Sequence, residues 1–167
     1  SNVFFNLFCV YHTMITRSIT YLIIIIGLFS CKKKETDGET PKGPVSNIPS
    51  ITLIDVSPKT VQEYKDSIVF VIQYLDGDGD IGTEDADAKS LFLTDNRASL
   101  TESYHLPPLA IIGTEMAIQG NLNVVLDRTA LLNSTGSSET TTYSIYLVDR
   151  AGNNSNTVTS ETITITQ

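Results

Sequence analysis

The stretch Ser67-Ile-Val-Phe-Val-Ile-Gln-Tyr-Leu75 decides the fold. Successive side chains of a β-strand point to opposite faces of the sheet, so residues two apart share a face. One face of this stretch carries Ile68, Phe70, Ile72 and Tyr74, and the other carries Val69, Val71 and Leu75. A strand that is apolar on both faces is typical of the centre of a sheet or of a strand covered on both sides. The sequence therefore predicts a central, buried strand here.

Other segments with a period of two lie on both sides of this strand. They cover residues 51–56, 90–94, 116–127, 141–149 and 157–166. Gly120 predicts a bend or bulge in its segment, and Tyr143, Ile145 and Leu147 are predicted to point inward. Short strands separated by turn residues, without a helical period, favour an antiparallel sandwich. We predict an all-β fold, a single antiparallel β-sandwich of about seven strands over residues 50–167.

The charge of this predicted domain limits its partners. From Asn47 onward the chain has 16 acidic and 6 basic side chains, a net charge of −10. Such a domain repels phosphate backbones, so we expect no nucleic-acid partner. The two cysteines, Cys9 and Cys31, both precede the domain, so no disulfide can form within it. An apolar core must therefore hold the domain together.

The N-terminal part of the chain has the layout of an export signal. From Met14, one basic residue (Arg17) precedes nine apolar residues, Tyr21 to Phe29, and then Ser30 and a cysteine. This order predicts a secretory signal peptide over residues 14–30. The apolar run is shorter than the ~20 residues of a membrane-spanning helix. Residues 1–13 have no place in this layout, and we interpret them as an overextended gene start, with a long N-terminal region as the alternative.

The segment Leu28-Phe29-Ser30-Cys31 resembles a lipobox, the motif of bacterial lipoprotein processing. The resemblance implies that the Cys31 thiol is acylated and that the chain is cut just before it. Phe29 departs from the family pattern, which has a small residue there. Lys32 stands where the enterobacterial retention signal has Asp, which implies the outer membrane and leaves the leaflet open. After Cys31, Lys, Glu, Asp, Thr, Gly and Pro dominate up to residue 49, which predicts that residues 31–49 are a flexible tether.

The segment Tyr143-Ser-Ile-Tyr-Leu-Val-Asp-Arg-Ala-Gly-Asn-Asn-Ser-Asn156 resembles the penultimate strand and turn of bacterial Ig-like domains. Together with the segments 74–82 and 104–109, it makes the domain similar to uncharacterised lipoproteins of Bacteroidota-type bacteria. The resemblance implies an Ig-like or fibronectin-III-like sandwich in the cell envelope. It implies no activity.

One acidic run has the composition of a cation site. Asp76-Gly-Asp78-Gly-Asp80-Ile-Gly82 is followed by Glu84, Asp85 and Asp87, which makes six carboxylates in twelve residues. Ca²⁺ takes 6–8 oxygen ligands in an adaptable cage, which alternating Asp and Gly can provide. The run is not an EF-hand, because Ile81 stands where that loop needs Gly and Asp87 stands in place of its last Glu. The alternative is that the Asp-Gly pairs are tight turns with solvated acids.

Topology adds a fourth carboxylate to this run. In a seven-stranded sandwich, the connections after the second and sixth strands lie at the same end. Asp149 and the turn at residues 151–154 should therefore lie beside the acidic run. We predict a structural Ca²⁺ site whose ligands are Asp76, Asp78, Asp80 and Asp149.

Signals of catalysis are weak. His105 is the only histidine after the predicted cleavage point, and no Gly-x-Ser-x-Gly sequence is present. We therefore predict a non-enzymatic protein, with acid-pair glycoside cleavage as the open alternative. Residues 106–112 follow His105 and contain Pro-Pro. They form either an exposed contact edge for a partner or a loop that packs back over the sandwich.

These observations predict a membrane-tethered, non-enzymatic binding or structural module of the cell envelope. Its ligand would be a protein or a glycan of the envelope. One alternative is an accessory subunit of an uptake or secretion complex, which an exposed apolar patch at residues 106–112 would favour. Another is a small envelope enzyme, which needs a cleft with two facing carboxylates of raised pKa.

Overall fold

The computed structural model describes residues 44–167. Four assignments lie outside the described residues: the gene start at 1–13, the signal peptide at 14–30, the lipidation of Cys31, and the tether from 31 to 43. Residues 44–167 contain no helix of any kind. Accordingly, nothing in this range provides a helix with the length and apolar character to cross a membrane.

Ten strands make up the fold of the described residues, in agreement with the all-β prediction. The strands are β1 (Ser50–Ser57), β2 (Thr60–Gln62), β3 (Ile68–Asp76), β4 (Leu91–Asp95), β5 (Leu100–Tyr104), β6 (Ile118–Leu126), β7 (Ser138–Thr141), β8 (Tyr143–Leu147), β9 (Val158–Thr159) and β10 (Ile163–Thr166). The first layer is the sheet β1-β3-β6, with β3 in the centre as predicted. All its pairs are antiparallel.

The second layer consists of the sheets β5-β4-β8-β9 and β2-β10-β7. Strands β7 and β8 are separated only by Thr142, and they pair antiparallel with β10 and β9 respectively. At this interruption the Tyr143 amide donates to Ser160 Oγ (2.9 Å), and the Ser160 amide donates to the Tyr143 carbonyl (2.8 Å). Strands β7 and β8 therefore act as one long strand with a break at Thr142. Strands β9 and β10 form its partner strand, which is broken between Thr159 and Ile163. The pairing of β2 with β10 is parallel.

The apolar core lies between these two layers. Phe70 of β3 and Tyr143 of β8 meet edge to face, with 5.3 Å between ring centroids. The inward residues predicted for the two strands are buried: Ile68, Phe70, Ile72, Tyr143, Ile145 and Leu147. Every core residue of the described range falls between Ile51 and Ile165. Residues 44–167 therefore contain the whole of this core.

The bulge predicted at Gly120 is wrong. The register between β3 and β6 runs without a shift from Ile68↔Leu126 to Asp76↔Ile118. Gly120 lies opposite Tyr74, and a Cβ there would be 2.6 Å from the Tyr74 hydroxyl oxygen. The glycine therefore makes room for the tyrosine ring within a regular strand.

Candidate metal centre

The acidic run begins at the buried end of the central strand. Asp76 is the last residue of β3 and is fully buried. Gly79 and Gly82 have φ angles of 73° and 82°, which favour glycine. A Cβ at Gly79 would lie 2.6 Å from the Met116 carbonyl oxygen, and one at Gly82 would overlap the Pro107 carbonyl. The glycines thus let the connection between β5 and β6 close over the acidic loop.

Three carboxylates converge in this loop. Asp76, Asp78 and Asp80 each offer an oxygen, and these oxygens lie within 4.8 Å of one another. The Oδ1 atom of each is hidden from solvent and has no hydrogen-bond partner among the described residues. A buried polar atom without a partner carries a large desolvation penalty, and most buried polar groups in native proteins are paired. Three converging carboxylates, each with such an atom, have the chemistry of a cation site.

The second oxygens of the carboxylates hold the loop in shape. Asp76 Oδ2 accepts a hydrogen bond from the Asp80 amide at 2.9 Å. Asp80 Oδ2 accepts one from the Ala151 amide at 3.0 Å, on the connection between β8 and β9. Each of these two carboxylates therefore accepts a backbone hydrogen bond with Oδ2, and its Oδ1 atom stays available as a ligand for a cation.

The electrostatics of the loop oppose three ionised carboxylates in the absence of a cation. Burial raises the pKa of Asp76 to about 6, and the neighbouring charges of Asp78, Asp80 and Asp149 act in the same direction. The pKa of Asp80 is also raised, first by burial and then by Asp149 and Asp78. A bound cation would reverse both effects, because an opposite charge at short range favours the ionised form.

Asp149, the fourth predicted ligand, lies beside the group and outside it. It forms an isolated β-bridge with Ile81, so the predicted proximity is present. Its Oδ1 accepts a hydrogen bond from the Asn153 amide (2.7 Å), and its Oδ2 accepts one from Asn153 Nδ2 (2.8 Å). Asp149 thus braces its own turn and contributes negative charge to the neighbouring site.

Two contacts of the loop were missed by sequence reasoning. Arg150 Nη1 donates to the Gly82 carbonyl at 2.8 Å, which holds a positive charge against the loop. The Gly77 amide donates to the Ser46 carbonyl at 2.9 Å, and a Cβ at Gly77 would lie 2.5 Å from the Val45 carbonyl oxygen. The last residues assigned to the tether therefore contact the acidic loop. No local sequence signal indicates either contact, because both depend on packing between distant segments.

The rest of the acidic run forms an exposed turn. The Asp85 amide donates to Thr83 Oγ1 at 3.2 Å, and Asp85 Oδ1 accepts from the Asp87 amide at 3.0 Å. Glu84, Asp85 and Asp87 are all exposed. The six carboxylates therefore divide into three that converge and three that face solvent.

Residues 106–110 pack back over the domain, as one of the two predictions for this segment states. The Leu106 carbonyl accepts from the Thr83 amide (2.9 Å), and the Leu109 amide donates to the Ile81 carbonyl (3.1 Å). Both leucines pack against the core. His105 is half-buried beside them, with its Nδ1 atom 3.3 Å from the Ala88 carbonyl oxygen.

The opposite end of the sandwich carries a charged cluster of a different kind. Arg97 donates to Asp95 Oδ2 (2.6 Å) and to Glu139 Oε2 (2.7 Å), and Thr141 Oγ1 donates to Asp95 Oδ1 (2.7 Å). Burial alone would raise the pKa of Asp95, but these hydrogen bonds outweigh it and hold the pKa below its ordinary value. The cluster is fully paired and therefore structural. Asp95 and Arg97 also line a cavity of about 210 Å³, together with Tyr64, Leu100 and Leu132.

No protein family, curated protein or solved structure matches the chain. The case for a site therefore rests on its own geometry, and chiefly on the three unpaired oxygens of Asp76, Asp78 and Asp80.

Proposed function

We propose that the chain is a lipid-anchored, non-enzymatic module of the cell envelope whose loop end is held by Ca²⁺. One observation carries this proposal: Asp76, Asp78 and Asp80 bring carboxylate oxygens within 4.8 Å of one another, and each keeps a buried Oδ1 atom without a hydrogen-bond partner. The cation would cross-link the loop after β3 and fix the connections that pack on it. These connections would then present the binding surface to a protein or a glycan of the envelope.

The ligand set supports calcium over other metals. The group contains carboxylates only, without a His or Cys ligand. Hard oxygen ligands suit Ca²⁺ and Mg²⁺, while Zn²⁺ prefers nitrogen and sulfur. Mg²⁺ demands a near-ideal octahedron, whereas Ca²⁺ accepts an irregular set of 6–8 oxygens. A short loop with three converging carboxylates fits the more adaptable ion.

The same geometry argues against the enzyme alternative. Asp76 and Asp80 both have raised pKa values, which is a property of catalytic acids. Their Oδ1 atoms are hidden from solvent, however, so no substrate could reach them. General acid catalysis needs hydrogen-bond reach to the substrate. Burial beside neighbouring carboxylates explains both raised pKa values, and this is the environment of a cation site.

The anchor is proposed from the lipobox-like segment ending at Cys31 and from the tether that follows it. Three lysines directly after Cys31 would add attraction to anionic headgroups. The membrane is then the first partner of the chain. The outer membrane is the proposed destination, since Lys32 replaces the Asp of the retention signal.

Thermal melts of Gly38–Gln167 in calcium and in chelator test the metal site. A ligand at 100 times its Kd stabilises by about 2.7 kcal/mol, a rise of roughly 10 °C for a domain of this size. The wild type and Asp85→Ala, an exposed acid of the same run, should both show the rise. Asp78→Ala should lose it. An equal rise in Asp78→Ala, or none in the wild type, would remove the metal from the proposal.

Labelling of cells with a fatty-acid analogue tests the anchor separately. The full chain should incorporate label and fractionate with membranes, and Cys31→Ser should do neither. Cys9→Ser is the matched control and should behave as the wild type. Label that persists in Cys31→Ser would show that the lipidation assignment is wrong.

A further inference from the structure

An apolar turn stands out on the surface of the metal end. Ile111 is 76% exposed, Ile112 46% and Met116 53%. The Thr114 amide donates to the Ile111 carbonyl at 3.2 Å, and Gly113 has a φ of 83°, so the chain reverses tightly here. Turn tips are normally built from Gly, Pro, Asn, Asp and Ser. Two isoleucines and a methionine exposed at one turn indicate a surface with an apolar partner.

This turn is tied to the metal loop. The Met116 amide donates to the Asp78 carbonyl at 3.3 Å, and the Met116 carbonyl lies against Gly79. Ala110, just before the turn, contacts the same glycine. The position of the turn therefore depends on the loop that would hold the cation.

The chain enters the domain at the same end. Ser46 is hydrogen-bonded to Gly77 in the metal loop, and Ile48 beside it is 55% exposed. Cys31 precedes Pro44 by 13 residues. Those residues span at most about 45 Å, at ~3.3–3.6 Å per residue. A lipid on Cys31 would therefore hold this end of the domain within reach of a bilayer, at most about 45 Å away at Pro44.

The charge of the metal end decides when the turn can meet that bilayer. Asp76, Asp78, Asp80 and Asp149 lie together there, with Arg150 as the neighbouring cation. Anionic headgroups repel such a cluster, and they repel it less strongly once a divalent cation has neutralised part of its charge. The acidic loop thus opposes contact in the metal-free state.

We propose that the turn from Ile111 to Met116 inserts into the lipid bilayer beside the anchor, and that the cation held by Asp76, Asp78 and Asp80 permits this insertion. The inference rests on the lipid anchor and metal site of the proposed function. The loop end of the sandwich, with the acidic loop and the apolar turn, would then lie at the membrane surface. The opposite end, with the cavity near Arg97, would then face away from the bilayer.

A single tryptophan tests the insertion, because the chain contains none. Ile112→Trp in the chain that is lipidated at Cys31 is incorporated into phosphatidylcholine–phosphatidylglycerol vesicles in calcium. Its emission should shift to shorter wavelength and be quenched by bromine-labelled acyl chains. Leu132→Trp is the matched control, since Leu132 is 56% exposed and lies near the opposite cavity. Its emission should not change.

A second variant measures the contribution of the apolar side chains. Burying an Ile side chain contributes ~1.5–3 kcal/mol, and 1.4 kcal/mol is a factor of ten in an equilibrium. Ile111→Ser should therefore weaken vesicle binding about tenfold or more, while Leu132→Ser leaves it unchanged. Both sites are exposed, so neither variant should alter the melting temperature by more than a few degrees.

The outcomes separate the inference from the proposed function. If calcium raises the melting temperature but the Ile112→Trp emission ignores vesicles, the metal site stands and the insertion is wrong. An emission shift that grows with protein concentration without vesicles would assign the turn to a protein partner, and overturn the lipid proposal. Equal insertion in calcium and in chelator would overturn the role of the cation.

Discussion

Asp76→Asn should stabilise the metal-free domain and remove the effect of calcium. The wild-type side chain is fully buried and keeps one oxygen unpaired. Asparagine retains an oxygen that can accept the hydrogen bond of the Asp80 amide. Its new NH₂ group replaces the unpaired oxygen and can donate to the neighbouring carboxylates of Asp78 and Asp80, whose Oδ1 atoms have no partner among the described residues. The substitution therefore removes a buried charge and supplies two missing donors.

The magnitude follows from the pKa of Asp76. A pKa raised from 3.8 to about 6 means that ionising this carboxyl at pH 7 costs the folded state about 3 kcal/mol at most. In chelator, Asp76→Asn should have a free energy of unfolding ~1–3 kcal/mol higher than that of the wild type and should melt several degrees above it. Calcium at about 1,000 times its Kd stabilises the wild type by ~4.1 kcal/mol. The order of the two melting temperatures should then reverse.

Urea and thermal unfolding of Gly38–Gln167, each in chelator and in calcium, measure the four free energies. Asp95→Asn is the matched control at the other end of the sandwich. Its carboxylate is paired with Arg97, and the two side chains are 14% and 11% exposed. Breaking a pair so little exposed should destabilise by ~2–4 kcal/mol in both solutions. If Asp76→Asn also melts below the wild type in chelator, the acidic loop is not under electrostatic strain and the reasoning is refuted.

Three further predictions concern the pH dependence and the two ends of the fold. The folded pKa of Asp76 lies above its unfolded value, so its contribution to stability is full below about pH 4 and is lost as pH rises through about 6. In chelator, the wild-type melting temperature should therefore fall between about pH 4 and 6 relative to Asp76→Asn, and parallel curves would contradict this. Gly82→Ala should destabilise by ~2–4 kcal/mol in urea, because φ is +82° and its Cβ would overlap the Pro107 carbonyl. Gly113→Ala has a similar φ in open space and should lose only ~1 kcal/mol, so equal losses would show that the contact with Pro107 is unimportant. Arg97→Lys should lower the free energy of unfolding by ~1–3 kcal/mol, because a single ammonium cannot reproduce the guanidinium fork that reaches two carboxylates. An unchanged urea midpoint would contradict this prediction. The response to calcium should persist.

Alternation of apolar residues predicted the strands whose inner face is buried, such as β3 and β8. It missed β2, β5 and β7. Strand β5 is exposed at nearly every position, so its sequence has no apolar face to detect. Pairing with β4 determines it instead, including the contact of Thr94 Oγ1 with Thr101 Oγ1 at 2.8 Å. Long-range pairing of this kind has no local signal.

The sequence shows the six carboxylates of the acidic run. It does not show which three converge and which three face solvent. Asp76 belongs to the site because it ends a buried strand. Asp85 belongs to the same acidic run but lies in an exposed turn. Topology correctly placed Asp149 near the loop. Its oxygens are bound by Asn153, four residues later, which residue type alone does not reveal. The signal peptide and the lipidation of Cys31 stay predictions.

The hydrogen bond between Ser46 and Gly77 also has a mechanical consequence. A load applied to the chain from its N-terminal side meets this bond before it reaches β1. Gly77 is the residue next to Asp76, so tension that lifts Ser46 away pulls directly on the loop of carboxylates. A cation in that loop would stiffen the attachment, and sustained tension would in turn promote its release.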